Sequence, residues 1–284
     1  SDNSANAWVD KVRAQGLPLL TQEGVVETIA EFTLAEYNMF DYMPNWIQPL
    51  VGTADERMKK LQMPGVRDSM RRDVEERPFL RTDWPRVRVM EVVSERNYKY
   101  EGRSIDDIAQ AESKHPVDVF LDLAIDENLM TLFSNQEEEP SVERITSPFA
   151  HVSVSDGGAH TRFLTQSSWP VEFLRRWIRD ESIMTIEQAH YKMSSLPAWF
   201  ADFKGRGMLR VGDWADIMIY NLDELGYLYE KPVYANDFPG GERRFIQKPT
   251  GLHYTIVNGV ITFESNECTG ALPGRLLRSY DMVS

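Results

Sequence analysis

The pattern of helices and strands changes at about residue 200, and this change constrains the fold more than any other feature of the sequence. Before it, apolar residues at helical spacing alternate with short apolar runs such as the predicted strand over residues 86–93. After it, short strands are separated by glycine turns, and Asn258-Gly259 predicts a two-residue hairpin. We therefore expect an α/β domain over residues 1–204 and a small all-β domain over residues 205–284.

Local signals place several elements more closely. A serine or threonine followed three residues later by an acid or an amide predicts helix starts at Ser104 and Thr185. Further helices are predicted by apolar periodicity, over residues 6–15, 54–62 and 65–73. A buried strand is predicted over residues 17–21, so that the chain opens with a helix leading into a strand.

Charge and cysteine content argue against several classes of protein. The 284-residue chain carries a net charge of −13, which argues against nucleic-acid and anionic-membrane partners because phosphate binding needs clustered Lys and Arg. No run of about 18 apolar residues is present, so no membrane span is predicted. The single cysteine, Cys268, excludes an internal disulfide framework and favours a reducing, cytoplasmic location.

The stretch from Ser155 to His160, Ser-Asp-Gly-Gly-Ala-His, is the most informative one for function. It ends an alternating run that starts at His151, and so places the carboxylate of Asp156 where a strand runs into a glycine turn. Enzymes with α/β barrels keep their catalytic groups at the carboxyl ends of strands. Asp156 is therefore the first candidate catalytic residue, and a structural turn aspartate is the alternative.

His160 and Arg162, which follow Asp156 in the sequence, are candidate substrate-binding residues. His160 could face the same pocket and bind substrate or a metal. Arg162 suits a substrate carboxylate, with a surface ion pair as the alternative. Structural roles are favoured for His151, in the strand, and for His115, at a helix start.

Five motifs follow one another in an order typical of one enzyme family. They are Ser155-Asp-Gly157, Met184 to Ala189 with Ser195-Leu-Pro-Ala198, Arg206 to Ile217, Gly251 to Gly259, and Thr269 to Arg275. In these motifs the chain resembles the C-terminal half of the amidohydrolase superfamily, specifically its D-aminoacylase branch of N-acyl-D-amino-acid deacylases. Looser matches over residues 98–128 and at Pro44-Asn-Trp46 extend the resemblance over most of the chain.

The resemblance implies a fold, a reaction and a cofactor. The fold would be α/β, the C-terminal part of a (β/α)8 barrel followed by a small all-β domain. The reaction would be metal-dependent hydrolysis of a C–N bond other than a peptide bond, in an N-acyl amino acid or a similar small-molecule amide. The cofactor would be a divalent metal, usually zinc in this family. Asp156 would act as general base and as a possible metal ligand.

The histidines depart from the family pattern. None of the five forms the His-x-His pair of the family's first strand. The residues before Asp156 are also fewer than the roughly 250 that a full barrel needs. We therefore expect most metal ligands to lie in an N-terminal half-barrel outside this chain, and the isolated chain to be inactive or nearly so. The alternative is a non-catalytic fragment or pseudoenzyme that binds a partner chain or self-associates as a homo-oligomer.

Overall fold

A computed structural model describes residues 3–36, 38–76, 83–136, 139–152, 154–155, 161, 166–229 and 231–278. Helices and strands are intermixed along these residues, which confirms the α/β class expected from the sequence. The chain forms two compact units. The first combines the chain start up to Glu27 with the residues from Glu139 onward, and the second runs from Thr28 to Glu138. The domain boundary between residues 204 and 205 stays a prediction.

The helices among the described residues are α1 (Asn3–Ala14), α2 (Pro44–Ile47), α3 (Ala54–Leu61), α4 (Pro64–Glu76), α5 (Ile105–Glu112), α6 (Pro116–Asp126), α7 (Val142–Thr146), α8 (Trp169–Glu172), α9 (Ile186–His190) and α10 (Leu196–Phe200). Wider π-helical turns continue α8 over Phe173–Asp180 and join α9 to α10 over Tyr191–Ser195. Short 3-10 turns lie at Trp84–Arg86, Glu95–Tyr100, Leu222–Glu224 and Pro239–Gly241.

The strands are β1 (Thr21–Glu23), β2 (Ile29–Phe32), β3 (Val87–Glu91), β4 (Leu132–Gln136), β5 (Ala150–Val152), β6 (Ile217–Tyr220), β7 (Gly226–Tyr227), β8 (Val233–Ala235), β9 (Arg244–Ile246), β10 (Pro249–Thr250), β11 (Leu252–Val257), β12 (Val260–Glu264) and β13 (Glu267–Cys268). Only β1 and β5 pair in parallel among them, and the other pairs are antiparallel.

The unit from Thr28 to Glu138 is built on an antiparallel sheet of order β2-β4-β3. Its core is aromatic. Phe120 on α6 lies 4.3 Å from Phe133 on β4 and 5.2 Å from Phe40, measured between ring centroids. Trp46 stacks on Phe40 at 4.4 Å and donates from Nε1 to the carbonyl of Met70. The tryptophan of the Pro44-Asn-Trp46 match is thus a core residue.

Most of the predicted helices are confirmed, because their start signals are local. In α3, Thr53 and Glu56 form a capping box, and α4 begins at Pro64. Ser104 caps α5 by accepting from the backbone N–H of Asp107. His115 caps α6 in the same way, as its predicted place at a helix start requires.

The strand predicted over residues 17–21 is wrong for most of its length, because β1 begins only at Thr21. Pro18 has no N–H to give to a strand neighbour. The N–H of Leu19 instead donates locally to the carbonyl of Leu17, at 3.0 Å. Pairing starts where the N–H of Thr21 reaches the carbonyl of Phe149, at 2.9 Å.

The other unit has a core between the β1–β5 pair and the helix that follows Trp169. The apolar side chains of this helix face the core, since Phe173 and Trp177 are fully or almost fully buried and pack with Val152 of β5. The indole N–H of Trp177 donates to the carbonyl of Val25, just after β1, at 2.8 Å. This helix is therefore attached to the strand pair by both packing and a hydrogen bond.

The region after residue 205 is rich in antiparallel strands, with a four-stranded sheet of order β13-β12-β11-β6. The predicted hairpin is confirmed: Val257 pairs with Val260, and Asn258 and Gly259 take φ values of 49° and 80°. Strand β6 is only partly buried although its sequence is apolar, and Ile219 is exposed. No helix in the described part of the chain is long and apolar enough to span a membrane.

Candidate functional site

Strand β5 leads toward the predicted catalytic aspartate. It pairs in parallel with β1, with His151 opposite Gln22 and Val152 opposite Glu23. Ala150 and Val152 are buried and His151 is partly exposed, as expected from side chains that alternate between two faces. The three predicted site residues, Asp156, His160 and Arg162, lie outside the described residues, so their roles stay predictions.

Thr161, one of the described residues, contacts strand β9. The backbone N–H of Phe245 on β9 donates to the carbonyl of Thr161 at 2.6 Å. Phe245 itself is buried and stacks on Tyr234 of β8, with ring centroids 4.1 Å apart. Thr161 is therefore attached to the β8–β9 pair.

One described carboxylate lies at the carboxyl end of the parallel pair. Glu23 is the last residue of β1, and its side chain is 15% exposed. It pairs with Arg144 of α7, with Arg144 Nε 3.4 Å from Glu23 Oε2. Sequence reasoning missed Glu23, although its signal resembles that of Asp156: an acid follows a short strand and precedes a glycine, Gly24.

A buried lysine lies against the start of β5. Lys192, on the π-helical turn between α9 and α10, is 6% exposed. Its ammonium donates to the carbonyl of Ala150 at 2.8 Å and to the carbonyl of Ser147. Burial lowers the pKa of Lys192, and the charge of Glu23 partly offsets this effect. Sequence reasoning missed Lys192 because lysine on a helix predicts a solvated side chain.

The electrostatic effect of this lysine extends to β5. Burial lowers the pKa of His151, and the positive charge of Lys192 lowers it further. The imidazole lies near Phe200, with ring centroids 6.4 Å apart. Neutral imidazole is thus the favoured form of His151, a form that can accept or donate a hydrogen bond.

The other described histidines have structural surroundings. His190 Nε2 lies 2.7 Å from the hydroxyl of Tyr220, and burial lowers the pKa of His190. His115 Nε2 lies 3.2 Å from Glu75, and His253 belongs to β11. Among the residues that the structure describes, no group of three or more His, Cys, Asp and Glu side chains could hold a metal ion.

Two of the five sequence motifs meet at Gly207. The hydroxyl of Ser195 donates to the carbonyl of Gly207 at 2.8 Å. Gly207 has a φ of 81°, and a Cβ added there would lie 2.6 Å from Ala198 Cβ and 2.7 Å from Ser194 O. Glycine is required by both the backbone conformation and the close approach. These motif residues therefore attach α10 and the turn before it to the segment at Gly207.

Three motifs meet at Asn258. The carboxylate of Asp216 accepts from the backbone N–H of Asn258 at 2.8 Å and pairs with Arg206. Arg206 also donates to Asn258 Oδ1 at 2.8 Å, and Asn258 Nδ2 donates to the carbonyl of Pro273 at 2.7 Å. The described residues of these later motifs form hydrogen bonds between distant segments, which is a structural role.

Comparison with known proteins gives partial matches. No protein-family model matches the chain. An uncharacterized protein of Mycobacterium tuberculosis is 30% identical over 186 residues, which are 60% of this chain and 29% of that protein. The D-aminoacylase of Alcaligenes xylosoxydans xylosoxydans is 26% identical over 180 residues, 62% of this chain and 34% of the enzyme. The N-acyl-D-glutamate deacylase of the same organism is 30% identical over 107 residues, 37% of this chain and 19% of the enzyme.

Solved structures of two such enzymes also match. The N-acyl-D-glutamate deacylase of Bordetella bronchiseptica, complexed with zinc and a phosphonate inhibitor, has a TM-score of 0.46 and 17% identity, over 92% of this chain and 43% of that one. A D-aminoacylase has a TM-score of 0.41 and 20% identity, over 66% of this chain and 36% of that one.

The chain spans about a third or less of the length of the curated relatives it matches. This partial coverage is consistent with the C-terminal portion expected from the motifs. The two named deacylases among the curated relatives confirm the predicted resemblance. The chain is thus similar in sequence to a D-aminoacylase and to an N-acyl-D-glutamate deacylase.

Proposed function

We propose that this chain forms the C-terminal part of a metal-dependent hydrolase that cleaves the C–N bond of an N-acyl amino acid. The proposal is supported by the similarity to a D-aminoacylase and to an N-acyl-D-glutamate deacylase, and by the order of the five motifs. In this proposal the described strands and helices belong to the later part of a (β/α)8 barrel and to a small β domain. A cytoplasmic location is also proposed, supported by the single cysteine.

Asp156 is the proposed general base. The observation that carries this role is the parallel pairing of β5 with β1, because the carboxyl ends of parallel strands are where α/β enzymes place their catalytic groups. The carboxylate would accept a proton from the attacking water and deliver it to the departing nitrogen. His160 and Arg162 would bind the substrate, with Arg162 pairing with its carboxylate.

The described residues do not fit a metal site, since no group of three or more suitable side chains occurs among them. The Bordetella deacylase structure contains zinc. We therefore propose that a divalent metal, zinc by this resemblance, would take its ligands from Asp156 and from an N-terminal half-barrel chain that supplies the His-x-His pair.

The test compares the chain alone with the chain mixed with a His-x-His-bearing N-terminal half-barrel. Zinc content and hydrolysis of N-acetyl-D-amino acids are measured for both samples. The chain alone is expected to hold no stoichiometric zinc and to hydrolyse nothing, whereas the mixture is active. Asp156→Asn should lower the activity of the mixture by roughly 10²–10⁴-fold, while Asp237→Asn, on an exposed ion pair, should not. Steady hydrolysis by the chain alone with bound zinc would overturn the proposal that two chains form the active site. Full activity of Asp156→Asn would overturn the role of Asp156 as general base.

The alternative is a non-catalytic chain that associates with a second copy of itself. The observation that favours it is a set of exposed apolar side chains in α10 and the residues after it, among which Trp199 is 67% exposed and Leu209 is 80% exposed. Light scattering combined with metal analysis separates the two functions. A metal-free homo-oligomer that gains no hydrolysis with the half-barrel chain supports the alternative, and a metal-free monomer argues against it.

A further inference from the structure

A buried charged side chain, that of Lys192, holds the junction between α7 and β5. Lys192 donates to the carbonyl of Ser147, which follows α7, and to the carbonyl of Ala150, the first residue of β5. Hydrogen bonds from a charged donor are about twice as strong as those between neutral groups. The lysine therefore fixes the position at which the chain enters the strand.

No ion pair in the described part of the chain accounts for the position of this lysine. Among the described residues no carboxylate lies within ion-pair distance of its Nζ, and Glu23 acts on it only as a more distant charge. Burying an ammonium is unfavourable, and a methionine would fill similar space without that penalty. Among the described residues, the hydrogen bonds to the two carbonyls are the contacts that explain a lysine at this position.

Strand β5 depends on such an attachment because it is short. It has three residues, and β1 is its single partner among the described strands. On the β1 side the N–H of Thr21 donates to the carbonyl of Phe149. Lys192 provides the matching attachment from the helical side, so the amino end of β5 is held from both sides.

We propose that Lys192 is a positioning residue for Asp156: its ammonium fixes the amino end of β5, and β5 carries the segment that presents the aspartate. This inference rests on the proposed role of Asp156. Lys192 itself donates to two backbone carbonyls.

The test is hydrogen exchange of the full 284-residue chain, read by mass spectrometry, in Lys192→Met and Lys192→Arg. In Lys192→Met, peptides over residues 147–161 should exchange at least about tenfold faster, because two charge-assisted hydrogen bonds are lost. Peptides over residues 252–264, in β11 and β12, should be unchanged. Lys192→Arg keeps a charged donor and should restore most of the protection. Lys204→Met, at a lysine whose side chain is 64% exposed, is the matched control.

Unchanged exchange over residues 147–161, or an equal increase throughout the chain, would overturn the proposal. If Lys192→Met does not fold, Lys192→Gln replaces it, since its amide reaches at most one of the two carbonyls.

In the active mixture with the half-barrel chain, Lys192→Met should lower kcat by roughly 10–100-fold with little change in KM, as expected for a misplaced catalytic group. An unchanged kcat would overturn the link to Asp156. A wild-type mixture without activity would refute the proposed function, whereas the exchange result would still decide whether Lys192 holds the Asp156 segment.

Discussion

The backbone N–H of Asn258 donates to Oδ1 of Asp216 at 2.8 Å, across 42 positions of sequence. The same carboxylate pairs with Arg206, whose side chain is 12% exposed. Asn258 is the first turn residue of the β11–β12 hairpin, so Asp216 connects this hairpin to the start of β6. One carboxylate thus holds two structural elements and neutralises a mostly buried guanidinium.

Asp216→Ala should therefore destabilise the chain. The substitution removes two hydrogen bonds and leaves Arg206 without its charged partner, so we expect a loss of about 2–4 kcal/mol in the free energy of unfolding. Urea denaturation followed by circular dichroism measures this loss. Asp237→Ala is the control, because its ion pair with Arg244 is exposed and should contribute little. An equal effect of the two substitutions would contradict the prediction.

Gly207→Ala should also be strongly destabilising. The new methyl would lie 2.6 Å from Ala198 Cβ and 2.7 Å from Ser194 O, on a backbone with a φ of 81°. Left-handed strain and overpacking together should lower the free energy of unfolding by about 2–5 kcal/mol. Gly212→Ala is the matched control, because Gly212 has a φ of 94° but open space around it. In Gly212→Ala the free energy of unfolding should fall by about 1–2 kcal/mol, from the left-handed backbone strain alone. Similar losses in both variants would show that the close approach at Gly207 has no energetic effect.

Local chemistry explains which elements could be predicted from the sequence. The Asn258-Gly259 hairpin and the capping box of Thr185 and Gln188 depend on residues within a few positions of one another, and both were predicted. The start of β1 was not, because it depends on pairing between Thr21 and Phe149, which are distant in sequence. Such pairing leaves no trace in local periodicity.

The surroundings of the candidate site were harder to predict for the same reason. Glu23, Arg144 and Lys192 come from three separate segments, and each is a charged residue of a type that is usually solvated. Only the fold brings them to the two sides of β5. The sequence predicted Asp156 because an acid between a strand and two glycines is a local pattern, whereas the groups that hold its strand form no such pattern.

Glu127 should make the stability of the second unit depend on pH. It is buried and accepts from the backbone N–H groups of Val93 and Ser94, at 2.6 and 2.8 Å, and from the amide of Asn97. Burial alone would raise the pKa of Glu127, but these donors outweigh it and lower the pKa below its ordinary value of 4.5. A carboxylate with a lowered pKa stabilises the fold above its unfolded pKa, and this stabilisation is lost as the pH falls through the folded pKa.

Glu127→Gln should therefore cost about 2 kcal/mol of unfolding free energy at neutral pH, and the difference from wild type should shrink as the pH falls below 4.5. Denaturant titrations at several pH values measure it. Glu91→Gln, at an exposed position on β3, is the control and should have little effect on the free energy of unfolding. A cost for Glu127→Gln that is independent of pH would contradict the assignment.

The titration of His151 should report the charge of Lys192. The pKa of His151 lies below 6.5, first because the imidazole is partly buried and second because Lys192 is positively charged. Lys192→Met removes the second cause and leaves the first, so the pKa of His151 should rise but stay below 6.5. Histidine proton NMR over the acidic range measures it, with Lys204→Met as the control. His190 serves as an internal reference, because its pKa is lowered by burial and partly restored by Glu187, without a contribution from Lys192. Because the folded pKa of His151 is lowered, the free energy of unfolding should fall as the pH drops below 6.5. This loss of stability should be smaller in Lys192→Met than in wild type. An unchanged His151 titration in Lys192→Met would show that the ammonium does not act on β5.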